Sequence, residues 1–127
     1  MTHARKIDAT GDVVVGDTVT FTESVFQRGG RRPQYLGDRT IEARVMRDSY
    51  GAEKQQHTFT LEIIKSSGEQ PLKAGALARR KGRNVYRNGV TRAPWKNESE
   101  RRIAQKEKHE RGDEARAARL LGPIYIY

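Results

Sequence analysis

Between Ala76 and Lys96 stand seven basic side chains, Arg79, Arg80, Lys81, Arg83, Arg87, Arg92 and Lys96, with no Asp or Glu among them. Cations crowded in this way neutralise phosphates and release the counterions condensed on a nucleic acid, so the expected partner is a polyanion, RNA or DNA. The run from Arg79 to Arg87 carries the other groups such a contact uses. Arg and Lys can position on phosphates, Asn84 can read a base edge or bond a backbone, and Tyr86 can stack on an unpaired base. The same residues also fit a solvated face, a ribosome-embedded tail or a nuclear import signal, and Tyr86 with Val85 also fits a barrel wall.

A second polar group falls in the loop Ser49 to His57, where Tyr50, Lys54 and His57 could contact nucleic acid beside the basic strand, or simply finish a hairpin. Catalysis is not expected. His3, His57 and His109 have no ligand spacing for a metal, and Asp48 with His57 is half a triad without a nucleophile in a suitable turn. A phosphate-binding Gly-Lys-Ser loop is missing, and with no cysteine the chain has neither thiol chemistry nor a Cys-type zinc site. No metal or cofactor is therefore expected.

The chain has 127 residues and a formal net charge of +9. Residues 1–75 hold 11 basic and 10 acidic groups, residues 76–96 hold 7 and 0, and residues 97–127 hold 7 and 6, so nearly all the excess lies in the middle segment. An apolar fraction of 35% allows one small core. Residues 1–10 contain no apolar stretch like that of a secretion signal, and no window is apolar enough to cross a membrane. An intracellular, soluble protein without a membrane partner is expected.

The elements that must hold these groups are read from periodicity. Val13, Val15, Val19, Phe21 and Val25 alternate with Thr18, Thr20 and Thr22, a strand pattern broken at Gly16-Asp17. A loop rich in Gly and Arg is expected from Gln27 to Asp38. Ile41, Ala43 and Val45 then alternate with Glu42 and Arg44, and Phe59, Leu61 and Ile63 with Thr60 and Glu62. Antiparallel pairing must match odd with odd. Setting Val45 opposite Leu61 puts Arg44 against Glu62, whereas a shift of two puts Glu42 against Glu62, so the first register is expected. In the basic segment Gly75, Gly82 and Gly89 interrupt any helix, and Val85-Tyr86 alone resembles strand. With the Val15-Gly16-Asp17 opening, this predicts a mainly β fold, a small SH3-like barrel or bent antiparallel meander.

The last third changes period. Asn97 with Glu100 fits an N-cap, predicting a helix from Glu98 to Arg111; Gly112 should end it, and Asp113 should start a second short helix. Ile103 is the only large apolar residue of the first helix, so a polar helical arm, ordered by something outside itself, is expected. The organisation predicted is a flexible N-terminal tail (1–12), a small β domain (13–96) containing the basic segment (76–96), a helical arm (97–121) and an apolar tail (122–127). The tail Ile124-Tyr125-Ile126-Tyr127 alternates like an edge strand, so the 97–127 region could hold a protein partner.

Asp38-Arg39-Thr40-Ile41, Ser49-Tyr50-Gly51-Ala52, Gln55 to Thr60, Lys81 to Arg87 and Glu107 to Gly112 carry a resemblance. From about Val15 to Gly112 the chain resembles the uncharacterised domain of plant nuclear proteins that also contain a SAP module and a CCCH zinc finger. The resemblance implies a nuclear, chromatin-linked or RNA-linked setting and no catalytic activity. The chain departs from that architecture, having no cysteine for a CCCH finger and no SAP-like segment. Its expected function is non-catalytic nucleic-acid binding. The alternatives are a structural part of a ribonucleoprotein or transcription assembly, or a protein-interaction module whose basic run is a localisation signal.

Overall fold

The computed structural model describes residues 6–51 and 56–120, with backbone alone at residues 51, 56 and 112–120. In chain order the elements are β1 (Ile7–Asp8), β2 (Thr18–Gln27), β3 (Gln34–Gly51), β4 (Gln56–Gly68), β5 (Leu77–Lys81), α1 (Gly82–Tyr86), β6 (Val90–Arg92) and α2 (Glu98–Leu120). The strands form an antiparallel sheet in the order β1-β6-β2-β3-β4-β5. Strands β2 to β5 are a meander, and α1 carries the chain back so that β6 pairs with the far side of β2. The outermost strands β1 and β5 are not paired with each other, so the fold is a barrel-like bent meander that stays unclosed.

The odd-position face is the core. Val19, Phe21, Val25, Ile41, Ala43, Val45, Phe59, Leu61 and Ile63 are all buried. Ala43 lies opposite Ile63, Arg44 opposite Glu62 and Val45 opposite Leu61, the register that avoids facing carboxylates. A bulge between Val45 and Arg47 leaves Met46 exposed and reverses the parity. Asp48, paired with Phe59, consequently points inward, its side chain only 1% exposed.

Several boundaries differ from the sequence reading. Residues 7–9 are not a tail: Ile7–Asp8 pairs with β6, and Ala9 is buried and donates its N–H to the Val90 carbonyl. Val13 to Val15 form no strand, and Val14 rather than Val15 is buried. The expected loop 27–38 is strand at Gln27 and from Gln34 to Asp38, leaving a turn at 28–33, and the described residues 49–51 and 56–57 of the second expected loop are strand, because polar residues keep cross-strand hydrogen bonds without apolar alternation. Val85 and Tyr86 are helical despite their β propensity, since one turn of helix sinks Val85 into the core. Finally, α2 runs unbroken through Gly112; a glycine inside a helix costs about 1 kcal/mol, too little to force a stop.

The largest departure concerns α2, which lies against the β domain. Its docking face is polar: Arg101, Gln105 and Lys108 share one helical stripe, with Arg101 and Lys108 buried, while Ile103 is 61% exposed. They meet residues 12–17. Asp17, fully buried, accepts Nε of Arg101 at 2.9 Å on Oδ1 and its Nη2 at 2.9 Å on Oδ2, together with the Trp95 indole N–H at 2.7 Å and the Val14 N–H at 3.0 Å. Gln105 donates to Asp12, and Lys108 donates to the Val13 carbonyl. Burial pushes the Lys108 ammonium down, partly offset by Asp48, Asp12 and Asp17; burial also opposes the Arg101 charge, but Asp17 and Asp12 outweigh it and hold its pKa up. Gly16 completes the turn at φ +98, where a Cβ would come within 2.8 Å of the Trp95 ring. The helix starts as expected at Asn97, whose Oδ1 accepts the Ser99 N–H at 2.9 Å.

Candidate nucleic-acid interface

Where β2 and β3 reach their far end, the sheet opens into a cleft of about 430 Å³ against α1. Its floor is an ion cluster. Glu23 of β2 stands directly opposite Arg39 of β3 and takes Nε of Arg39 at 3.1 Å and Nε of Arg80, from β5, at 2.8 Å. Burial pushes the Glu23 carboxyl up, but Arg80 and Arg39 together outweigh it and hold it below the usual carboxylate range. One carboxylate between two guanidinium groups leaves a net positive charge. Arg39 is further held by donating to the Gln70 carbonyl at 2.7 Å, and Arg80 by donating to the Arg79 carbonyl at 2.9 Å. These two arginines are therefore fixed in place, with most of their donors already used.

The walls of the cleft hold the cations that have no carboxylate partner among the described residues. Arg87, just past α1, and Arg28, just past β2, both line it and both are exposed. Asn84 and Asn88 stand beside Arg87, and the Asn88 amide N–H donates to the Thr22 carbonyl at 3.0 Å, which fixes its side chain. Gly89, at φ +80, turns the chain out of α1 and lets Gly89 N–H bond the Tyr86 carbonyl at 3.0 Å. Arg31 and Arg32, also exposed, follow Arg28 in the same hairpin turn. At the rim, a bulge between Val25 and Phe26 sets Phe26 opposite Tyr35. Their ring centroids are 5.7 Å apart, edge to face, and the two residues are 51% and 56% exposed.

The arrangement therefore divides the basic segment. Alternation along β5 turns Arg80 toward the cleft and leaves Arg79 and Lys81 on the other side of the strand. Asn84 and Arg87 join Arg80; Arg83 is exposed on α1 outside the cleft, and Lys96 is exposed before α2. Arg92 is not available to phosphate: it is 8% exposed and forms a two-pronged pair with Glu98, at 2.7 and 3.1 Å. Arg92, with the Trp95 N–H, holds the Glu98 carboxyl down to about 2. Tyr86 belongs to the barrel wall. Its ring packs on the core, meeting Phe59 edge-on at 6.1 Å, its hydroxyl accepts the Val13 N–H at 3.1 Å, and burial raises its pKa to about 12.

Tyr50 and His57 form a cross-strand pair at the opposite end of β3 and β4, outside the cleft. His57 Nδ1 lies 2.7 Å from Asp48 Oδ1, its ring stacks toward Phe59, and the Tyr50 ring packs on it with centroids 4.6 Å apart. Asp48 Oδ2 is buried without a hydrogen-bond partner among the described residues. Lys54 and the tail 122–127 lie outside the described residues.

Arg28, Arg31, Arg32, Phe26 and Tyr35 were missed by the sequence reading. Their signal was present: from Val25 to Gly37 there are three Arg residues and no acid. Averaging charge over residues 1–75 concealed it, because acids elsewhere in that stretch cancel it.

Residues 10–95 match the family model described as a domain of unknown function, DUF7699. The chain is also similar to a rice (Oryza sativa subsp. japonica) protein named zinc finger CCCH domain-containing protein 62, 40% identical over 118 residues, which cover 89% of this chain and 17% of that protein. No solved structure matches the chain. The shared block is thus an uncharacterised domain found in a plant CCCH protein, as the motifs at residues 38–60 and 81–87 imply. No helix among the described residues is long and apolar enough to cross a membrane.

Proposed function

This chain belongs to the DUF7699 family, and from that premise we propose that it is a non-catalytic nucleic-acid-binding protein whose contact surface is the cleft between the β2–β3 hairpin and α1. One observation carries the reading. Arg28, Arg39, Arg80 and Arg87, from four separate positions in the sequence, converge on one concavity that contains a single carboxylate. Glu23 offsets one of the four guanidinium charges, and the remaining excess is electrostatically unfavourable unless an external anion screens it, which the phosphates of a nucleic acid would do. Fixed Arg39 and Arg80 would set the register, while exposed Arg28 and Arg87 engage phosphates, with Asn84 and Asn88 available for sugar or base edges. The resemblance to plant CCCH proteins supports a nuclear, RNA- or chromatin-linked setting.

Fluorescence anisotropy with labelled oligonucleotides over a range of salt concentrations tests this. With about four contacts, from Arg28, Arg31, Arg32 and Arg87, log K should fall with log salt at a slope of roughly −3. Arg87→Ala should reduce that slope by about one and weaken all sequences alike, whereas Arg79→Ala and Lys81→Ala should change it little. The oligonucleotide should be recovered intact. Unchanged binding by a folded Arg28→Glu, Arg87→Glu variant would overturn the assignment of the cleft.

A further inference from the structure

Resting on the cleft as a nucleic-acid site, we infer that it takes an unpaired strand and that Phe26, buttressed by Tyr35, is the platform on which a base stacks. Among the described residues, the other two Phe side chains, Phe21 and Phe59, are buried in the core, and Phe26 and Tyr35 are the aromatic residues left more than half exposed, at the mouth of an arginine-lined cleft. The bulge that creates the pair also shows how it is held. By skipping one residue it sets Phe26 directly across from Tyr35, and Tyr35 is anchored by its hydroxyl donating to Asp38 Oδ1 at 2.7 Å. Tyr35 thus gives Phe26 a fixed edge to lean on, leaving the Phe26 ring accessible from the cleft that it lines.

The surroundings select the occupant. An apolar protein partner would bury Arg28 and Arg87 without compensation, whereas a polynucleotide offers a π-face for the ring and a phosphate for each guanidinium within the same repeat. A duplex hides its base faces in the stack, so the ring has a role only when the bases are unpaired. The chemistry is common to RNA and DNA, and the two sugars are separated by experiment.

The test is binding of a twelve-nucleotide oligouridylate and the oligodeoxyuridylate of the same length, each alone and as a duplex with its complementary strand, to the full chain and its variants. Both single strands should bind more tightly than their duplexes, and the tighter of the two names the natural sugar. Phe26→Ala should weaken single-strand binding by about 5- to 150-fold with no change in salt slope, and Phe26→Trp should retain or tighten it. Phe26→Leu, which keeps the apolar bulk, should behave like Ala. Because Phe26 is exposed, the circular dichroism spectrum and melting temperature of these variants should match those of the parent. Salt-dependent binding that is indifferent to Phe26→Ala, or duplexes bound as tightly as single strands, would overturn the stacking inference while leaving the basic cleft standing. Absence of binding to every oligonucleotide would overturn both.

Discussion

Arg101→Ala separates a docked helix from a solvated arm. In the folded protein Arg101 is 5% exposed and Asp17 is fully buried, and their fork of two 2.9 Å hydrogen bonds is the cationic partner of that carboxylate. Truncation leaves Asp17 with the Trp95 and Val14 N–H donors but no opposing charge, and it also removes the donor that reaches the Asp12 carbonyl at 2.6 Å. Removing one partner of a buried ion pair typically costs about 3–5 kcal/mol. Against a total of about 5–15 kcal/mol for a domain, that is a large fraction. In urea, with a slope of about 1–3 kcal/mol per molar, the midpoint should fall by roughly 1–5 M. Arg102→Ala, an exposed neighbour on the same helix, should stay within about 0.5 kcal/mol of the parent. Arg101→Lys, which keeps the charge and loses the fork, should fall between them. In a double-mutant cycle with Asp17→Asn the coupling should exceed about 1.5 kcal/mol. Equal, small effects at positions 101 and 102 would refute the docking and restore the picture of an arm.

Four further expectations follow from other parts of the molecule. The Glu98 carboxyl, held near 2 against an ordinary value of 4.5, contributes stability that is complete above about 4.5 and lost as pH falls toward 2; urea midpoints for Glu98→Gln should therefore vary less with pH across that window than those of the parent. The Tyr86 hydroxyl, raised to about 12 from 10, contributes stability that is present below pH 10 and lost as pH rises through 12, so in ultraviolet titration the step lost in Tyr86→Phe relative to the parent should lie near pH 12. Tyr86→Phe, which leaves the Val13 N–H without its acceptor, should cost about 1–3 kcal/mol in the same denaturation assay. Leu61→Ala should cost about 2–5 kcal/mol as a core truncation while Thr60→Ala costs far less; equal losses would mean that the assigned inner face is wrong.

The residues that missed their expected places share a cause. Val85 and Tyr86 read as strand because propensity sees only neighbours, whereas burial of Val85 beneath β4 is decided by residues far away in the chain. Arg92 and Arg80 counted equally toward a basic block, yet one is paired with Glu98 and the other with Glu23, 57 positions upstream. A linear charge count cannot distinguish a cation already neutralised within the fold from one facing solvent.

Parity and charge were enough, from sequence, to establish the inner face of the central strands and the pairing of Val45 with Leu61, because strand alternation and like-charge repulsion act between residues whose spacing is written in the chain. The cap at Asn97 and the start of α2 were legible for the same local reason. Two things required tertiary structure. Docking of α2 uses Arg101, Gln105 and Lys108 against residues 12–17, a polar interface that leaves no apolar stripe to read and joins groups more than 80 positions apart. The cleft likewise arises because the return of the chain through α1 brings Asn84 and Arg87 to the end of the β2–β3 hairpin, and strand alternation turns Arg80 toward it while leaving Arg79 and Lys81 outside. Local patterns specify which way a side chain points along its own element, but which charges share one surface is set only when distant elements pack.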